Sequence, residues 1–171
     1  MSSIADDGDM TWLMNACLSI VVVGASGDLA KKKTYPSLFN LFVDKLLPND
    51  TQILGYARSD MSDDDLRERL RPYLKESKHS EDDIERFLKI CFYQGGKSYG
   101  DVDAFGKLKS TMESYEKKNS EVKETNRLFY FAIPPNVFGE TAVAIKKTCV
   151  QAEGMFLISG LAMAWVCRFD A

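Results

Sequence analysis

Two glycines three residues apart, Gly24 and Gly27, follow directly on the β-branched run Ile20-Val-Val-Val23 and precede the lysine-rich segment Leu29-Ala-Lys-Lys-Lys33. A strand that ends in a glycine turn and passes into a helix start aims several backbone N–H groups at one point. The helix N-terminus adds positive partial charge there. That chemistry suits a pyrophosphate. Neither glycine carries a Cβ, so a ligand can approach the backbone closely. Ala30 completes a Gly24-x-x-Gly27-x-x-Ala30 pattern and is small enough for the helix to pack tightly on the strand. The pattern is looser than G-x-G-x-x-G, and it also fits an ordinary parallel strand joined to a helix by a glycine turn. Under the binding reading, the turn residues Gly24, Ala25, Ser26, Gly27, Asp28, Leu29, Ala30 and Lys31 hold the pyrophosphate, mostly through main-chain N–H groups. Asp28 is unsuited to direct contact with an anion and is expected to cap the helix or orient the loop. The triplet Lys31-Lys-Lys33 either supports a bound phosphate or is a solvated helix face.

Arg58 is the second informative residue. It stands just past the second strand, where this class of fold meets the adenosine ribose. A carboxylate there accepts hydrogen bonds from a 2′-hydroxyl, whereas an arginine neutralises a 2′-phosphate. The chain reads Ala57-Arg58-Ser59, with no acid before Asp60, so the cofactor expected is NADP. Taken alone, an arginine at a strand end is most often a surface charge. Pro134-Pro135 ends a further strand, either to shape a ligand crevice or as a plain stop signal. The single histidine, His79, lies in the charged stretch Lys75–Glu81 with no orienting partner in sight, so no catalytic residue is assigned. No metal-ligand spacing, serine triad or nucleophile elbow is present.

These residues need strands and helices in alternation to position them. Leu18–Val23 reads as a buried parallel strand, and Leu29–Lys45 as a helix with Leu38, Phe39, Leu41 and Phe42 inward and Pro36 near its first turns. Thr51–Ala57 is a strand. Ser62-x-x-Asp65 and Ser80-x-x-Asp83 open two helices. Ile90–Tyr93 is a short strand, Asp103–Lys118 an amphipathic helix, Arg127–Ile133 a strand and Val137–Val150 a helix. This order implies a doubly wound, parallel α/β sheet. Met155–Cys167 is almost wholly apolar, too short to span a bilayer as a helix and acceptable as a core strand.

With 171 residues, 45% hydrophobic and 27% charged, the chain has the composition of one globular domain. A net charge of −3 gives no reason to expect nucleic acid as a partner. Cys17, Cys91, Cys149 and Cys167 show no C-x-x-C spacing and read as buried thiols in a reducing compartment. The acidic, serine-containing N-terminus Met1–Asp9 fits neither a signal nor a transit peptide, so the expected location is cytoplasmic, with no membrane partner.

Gly24-Ala-Ser-Gly-Asp-Leu-Ala-Lys-Lys-Lys33 resembles the coenzyme fingerprint of glucose-6-phosphate dehydrogenases. Gly55-Tyr-Ala-Arg58-Ser59 resembles that family's second-strand motif, and Arg127-Leu-Phe-Tyr-Phe-Ala-Ile-Pro-Pro135-Asn-Val-Phe138 its fourth-strand motif. The resemblance implies a Rossmann-like NADP-binding domain over residues 18–154, after a loosely ordered segment 1–17 and before an apolar tail 155–171 outside the family pattern. It implies a coenzyme contact for Arg58 and a position near the coenzyme for Phe138, where family members often carry tyrosine. The family's Glu-Lys-Pro-Phe-Gly motif and its Arg-Ile-Asp-His-Tyr-Leu-Gly-Lys motif, which supplies the base and the phosphate site, do not occur in this chain. The expectation is therefore an incomplete sheet without the carboxyl-terminal α+β domain. Such a chain would hold NADP but not oxidise glucose 6-phosphate, a partner only of the full-length protein. The alternatives are a stand-alone NADP-binding module, or one that pairs with full-length subunits, and a fragment that folds poorly through exposed apolar surface.

Overall fold

The computed structural model describes residues 16–118, 124–150, 155–160 and 163–168; of the loose segment expected at 1–17, residues 1–15 lie outside them. Strand β1 (Ala16–Val23) is followed by a π-helical turn, Ala30–Thr34, that runs straight into helix α1 (Tyr35–Val43). Strand β2 (Asp50–Ala57), helices α2 (Asp63–Lys75) and α3 (Glu81–Lys89) and strand β3 (Cys91–Gly95) come next. Helix α4 (Val102–Lys118), strand β4 (Glu124–Phe131), helix α5 (Phe138–Thr148) and strands β5 (Met155–Gly160) and β6 (Met163–Arg168) complete the order.

The strands form one sheet, β3-β2-β1-β4-β5-β6, parallel except for β6, which returns antiparallel beside β5. A doubly wound sheet would bring its sixth strand in through a helical crossover. Here residues 161–162 alone separate β5 from β6, so the apolar tail enters the sheet as a hairpin. Ala16 and Cys17, expected in the loose N-terminal segment, belong to β1 and are buried.

Both faces of the sheet are covered at β1, which is why it reads as an unbroken apolar run. Ile20 and Val22 of β1 and Ile53 of β2 face α1, α2 and α3, where Phe39, Leu70 and Phe87 close the core. Val21 and Val23, Leu54 and Tyr56, and Phe129 and Phe131 face α4 and α5. Helix starts follow the expected chemistry. Ser62 and Asp65 form a reciprocal capping box, and Ser80 accepts from the Asp83 N–H. One inward position fails: Leu41 is 38% exposed. The extra residue in the π-helical turn shifts α1 in register, so Leu38, Phe39 and Phe42 take the inner stripe.

On the α4 face the sheet carries a polar row. Register aligns Gln52 of β2, Ser19 of β1 and Arg127 of β4 side by side. Gln52 donates to Ser19 Oγ at 2.8 Å, and Ser19 donates to Glu116 of α4 at 3.3 Å. Arg127 holds Glu116 in a two-point pair at 2.9 and 2.6 Å and donates to the Cys149 carbonyl at 2.8 Å. The Arg127 and Glu116 side chains are 1% and 7% exposed. Removing one partner of such a pair strands a buried charge. Glu116→Ala is expected to lower stability by about 3–5 kcal/mol, while Arg127→Met with Glu116→Leu recovers most of the loss. Urea unfolding of the two variants beside the parent chain measures both effects.

Candidate functional site

The glycine turn sits at the carboxyl ends of β1, β2 and β4. Gly24 has φ +92°, a conformation that only glycine adopts readily. A Cβ at Gly24 would collide with the carbonyl of Ala132, just beyond β4. The N–H groups of Gly24 and Ala25 both donate to the Tyr56 carbonyl, at 2.7 and 3.1 Å, which fastens the turn to β2. Gly27 N–H closes the turn onto the Gly24 carbonyl at 2.9 Å. Lys31 N–H makes the first helical bond, to Gly27 O at 3.2 Å. Four of the expected main-chain donors are thus committed inside the turn. The N–H groups of Asp28, Leu29 and Ala30 precede the first helical bond, so they are the ones the helix leaves for an anion. Ala30 itself is fully buried against the sheet, as its size predicts.

Asp28 does not cap the helix. Its carboxylate pairs with Lys31 at 3.2 Å and Lys32 at 3.0 Å, and these lysines, Lys32 first, hold it below the usual carboxylate range. No side-chain cap is present at this helix start. A carboxylate placed three and four residues before two lysines finds them before it finds the backbone.

The π-helical turn follows from Pro36. Tyr35 N–H donates to Ala30 O, five residues back, and Pro36 has no N–H to offer. The added residue carries the proline ring past the carbonyl it would otherwise strike. It also lets three lysines in succession lie outward between buried Ala30 and buried Thr34. Tyr35 is fully buried beneath the turn. A Cβ on Gly55 would lie 2.7 Å from its hydroxyl and 2.8 Å from the Ala25 Cβ, so Gly55 makes room for this packing.

Beyond β2 the backbone opens into a groove of about 640 Å³ at the ends of β2 and β3, lined among others by Arg58, Lys97, Lys107 and Asp101. Arg58 is exposed, and its guanidinium stands 5.0 Å from the centroid of the Tyr99 ring. The loop carrying Tyr99 is pinned from below. Tyr56 donates to Ser98 O at 2.7 Å, and Asp101 accepts from the N–H groups of Lys97 at 2.8 Å and Ala104 at 3.0 Å. Those backbone hydrogen bonds lower the Asp101 pKa. Ser59 donates to Ser26 Oγ at 3.1 Å, and Tyr93 donates to Ser59 O at 2.6 Å, so turn and groove share one framework. Burial, above all, pushes the Tyr93 phenol up to about 12.

Sequence reasoning singled out Arg58 but not Tyr99. Phe138 opens α5 and meets Phe131 of β4 edge-on at 5.1 Å. His79 stacks edge-on against Phe39 at 5.3 Å, a packing role. Among the described residues there is no group of metal-ligating side chains, and no helix is long and apolar enough to cross a membrane.

The family model described as glucose-6-phosphate dehydrogenase, NAD binding domain, matches residues 21–158 and so reaches into β5. A cytoplasmic isoform of glucose-6-phosphate 1-dehydrogenase from Solanum tuberosum is 47% identical over 141 residues, which are 81% of this chain and 27% of the potato protein. Glucose-6-phosphate 1-dehydrogenase from Emericella nidulans is 43% identical over 137 residues, 80% of this chain and 26% of that protein. A solved glucose-6-phosphate dehydrogenase in complex with its substrate glucose-6-phosphate superposes with a TM-score of 0.78 at 35% identity, covering 85% of this chain and 30% of that one. The chain spans about a quarter of the length of these curated relatives.

Gly24→Ala is expected to cost at least about 2 kcal/mol through backbone strain and the Ala132 contact, read by thermal unfolding. Pro36→Ala restores a donor and should let the π-helical turn relax to α-helical bonding. The new amide at residue 36 would then be protected from exchange, and coenzyme affinity would fall as Lys31 to Lys33 rotate away.

Proposed function

Because the chain belongs to the glucose-6-phosphate dehydrogenase family, as its NAD-binding domain, we propose that it forms the coenzyme half of an NADP-dependent oxidation of glucose 6-phosphate to 6-phosphogluconolactone. The coenzyme pyrophosphate rests on the Asp28, Leu29 and Ala30 N–H groups, with Gly24, Ala25, Ser26 and Gly27 shaping the turn that admits it. Lys31 lends positive charge once its contact with Asp28 is shared. The observation that carries the reading is Arg58, an exposed guanidinium at the carboxyl end of β2 where a carboxylate would select the 2′-hydroxyl. A 2′-phosphate there gains charge-assisted hydrogen bonds, and the Tyr99 ring beside the guanidinium offers a flat face to adenine. Phe138 keeps an aromatic wall near the crevice without a hydroxyl to donate.

The chemistry the bound coenzyme supplies is acceptance of a hydride from C1 of the sugar. This chain's residues bind and orient it. No residue here is assigned as the base that takes the C1 hydroxyl proton, and the sugar-phosphate motifs of the family are not among these residues. In this reading these residues act as the NADP-binding part of the reaction. We place the chain in the cytoplasm, in keeping with the cytoplasmic relatives and with the buried thiols of Cys91 and Cys149, which form no disulfide. Pairing with full-length subunits would complete the site.

Calorimetric titration of NADP and NAD, run beside a glucose 6-phosphate turnover assay, tests this. Saturable NADP binding, weaker NAD binding and no turnover are expected. Arg58→Asp should weaken NADP by about ten- to a hundredfold and spare NAD. Equal loss of both coenzymes in that variant would show that Arg58 does not read the 2′-phosphate. Turnover by the isolated chain would mean that a base is present among these residues.

A further inference from the structure

A second groove, of about 360 Å³, opens between α4 and the β2–β3 edge. It exists because β3 is short. Pairing of β3 with β2 begins at Cys91 beside Ile53, so Gln52, one residue earlier, has no neighbouring strand on that side. Gln52 is 1% exposed and contributes to the groove wall. Its amide nitrogen is spent on Ser19 Oγ at 2.8 Å and the Met112 carbonyl at 3.5 Å. Its amide oxygen meets no donor among the described residues. That oxygen borders the groove, where a ligand donor can reach it.

The rest of the lining has the same bias. Three α4 hydroxyls are committed as donors to their own helix: Ser110 to Gly106 O at 3.2 Å, Thr111 to Lys107 O at 3.3 Å and Ser114 to Ser110 O at 2.8 Å. Each therefore presents lone pairs, not protons, to the groove. Phe92 and Tyr115 add apolar ring surface, and Lys118 stands at the end of α4 as the cation. Acceptors in a cluster call for a ligand rich in O–H donors. The rings call for a flat C–H face on it, and the lysine calls for an anionic substituent and repels a cationic one. The volume lies in the range of about 300–1,000 Å³ that small-molecule sites occupy.

We propose that this groove is a second ligand site, separate from the coenzyme turn, for a small polyhydroxylated molecule carrying an anionic group. The Gln52 oxygen and the α4 hydroxyls accept from its hydroxyls, and Lys118 pairs with the anion.

Nuclear magnetic resonance titration of the chain tests this, with glucose 6-phosphate, sorbitol and inorganic phosphate as probes. Glucose 6-phosphate should shift the Gln52 side-chain amide and the backbone amides of residues 110–118 saturably. Sorbitol should shift the same signals at higher concentration, and phosphate alone should not. Ser114→Trp fills the groove and should weaken the glucose 6-phosphate response at least tenfold, while an NADP titration of the glycine turn is unchanged. Lys118→Glu should weaken glucose 6-phosphate and leave sorbitol as it was. Shifts confined to Lys31–Lys33 and the glycine turn, an unsaturable response, or an unaltered response in both variants would overturn the proposal. A chain that binds no NADP yet shows the groove shifts would count against the coenzyme reading alone.

Discussion

At Gly24 the carboxyl ends of three strands converge on one residue that has no side chain. Its N–H is held by the Tyr56 carbonyl of β2, its own carbonyl accepts from Gly27, and its α-carbon lies against the Ala132 carbonyl past β4. Any Cβ would have to occupy space already filled by backbone, which cannot yield as a flexible side chain can. The rest of the site is arranged around that contact. The helix start takes its direction from a turn fastened at three points, and the loose donors of Asp28 to Ala30 inherit that direction. A rigid frame of this kind lets an anion bind without first ordering the chain.

The two ends of the sheet face different demands on the α4 side. Three registered rows run along it, from Gln52, Ser19 and Arg127 at one end, through Leu54, Val21 and Phe129, to Tyr56, Val23 and Phe131 at the other. Helix α4 follows the rows, with Phe105 stacked on Tyr56 at 4.3 Å, Leu108 and Met112 in the middle and Glu116 at the polar row. A helix fixed by an aromatic stack at one end and an ion pair at the other can neither slide nor rotate. Because the loop with Tyr99 leads directly into α4, the buried ion pair helps to hold the partner of Arg58 from the far end of the domain.

The alternation of strands and helices was legible because each element carries its own signal. Ser62 and Ser80 announce helix starts with a carboxylate three residues on, and β1 shows the unbroken apolar run of a strand covered on both faces. The glycine turn and the position of Arg58 just past β2 were legible because both are local in sequence. Tyr99 was not, since its value comes from lying across from Arg58, a neighbour created only when the loop folds over β2. Nor was Glu116, one acid among several on a polar helix until β4 brings Arg127 to it. Leu41 misled because a helical wheel assumes an unbroken helix, and Asp28 because two nearby lysines outcompete the backbone for its carboxylate. The tail's hairpin was unreadable from an apolar run that would suit either direction of pairing.

The π-helical turn ahead of Pro36 is one residue longer than an α-helical path between the same two points. The core registers Ala30 on one side of it and Thr34 and Tyr35 on the other, and it is indifferent to how many residues pass outside between them. Of the lysines Lys31, Lys32 and Lys33, one is in effect a guest of the bulge. A chain shorter by a single lysine, and with a residue other than proline at position 36, would close the turn as ordinary helix and keep the same apolar face. The third positive charge beside the glycine turn is therefore an insertion that the fold carries without disturbing anything beneath it.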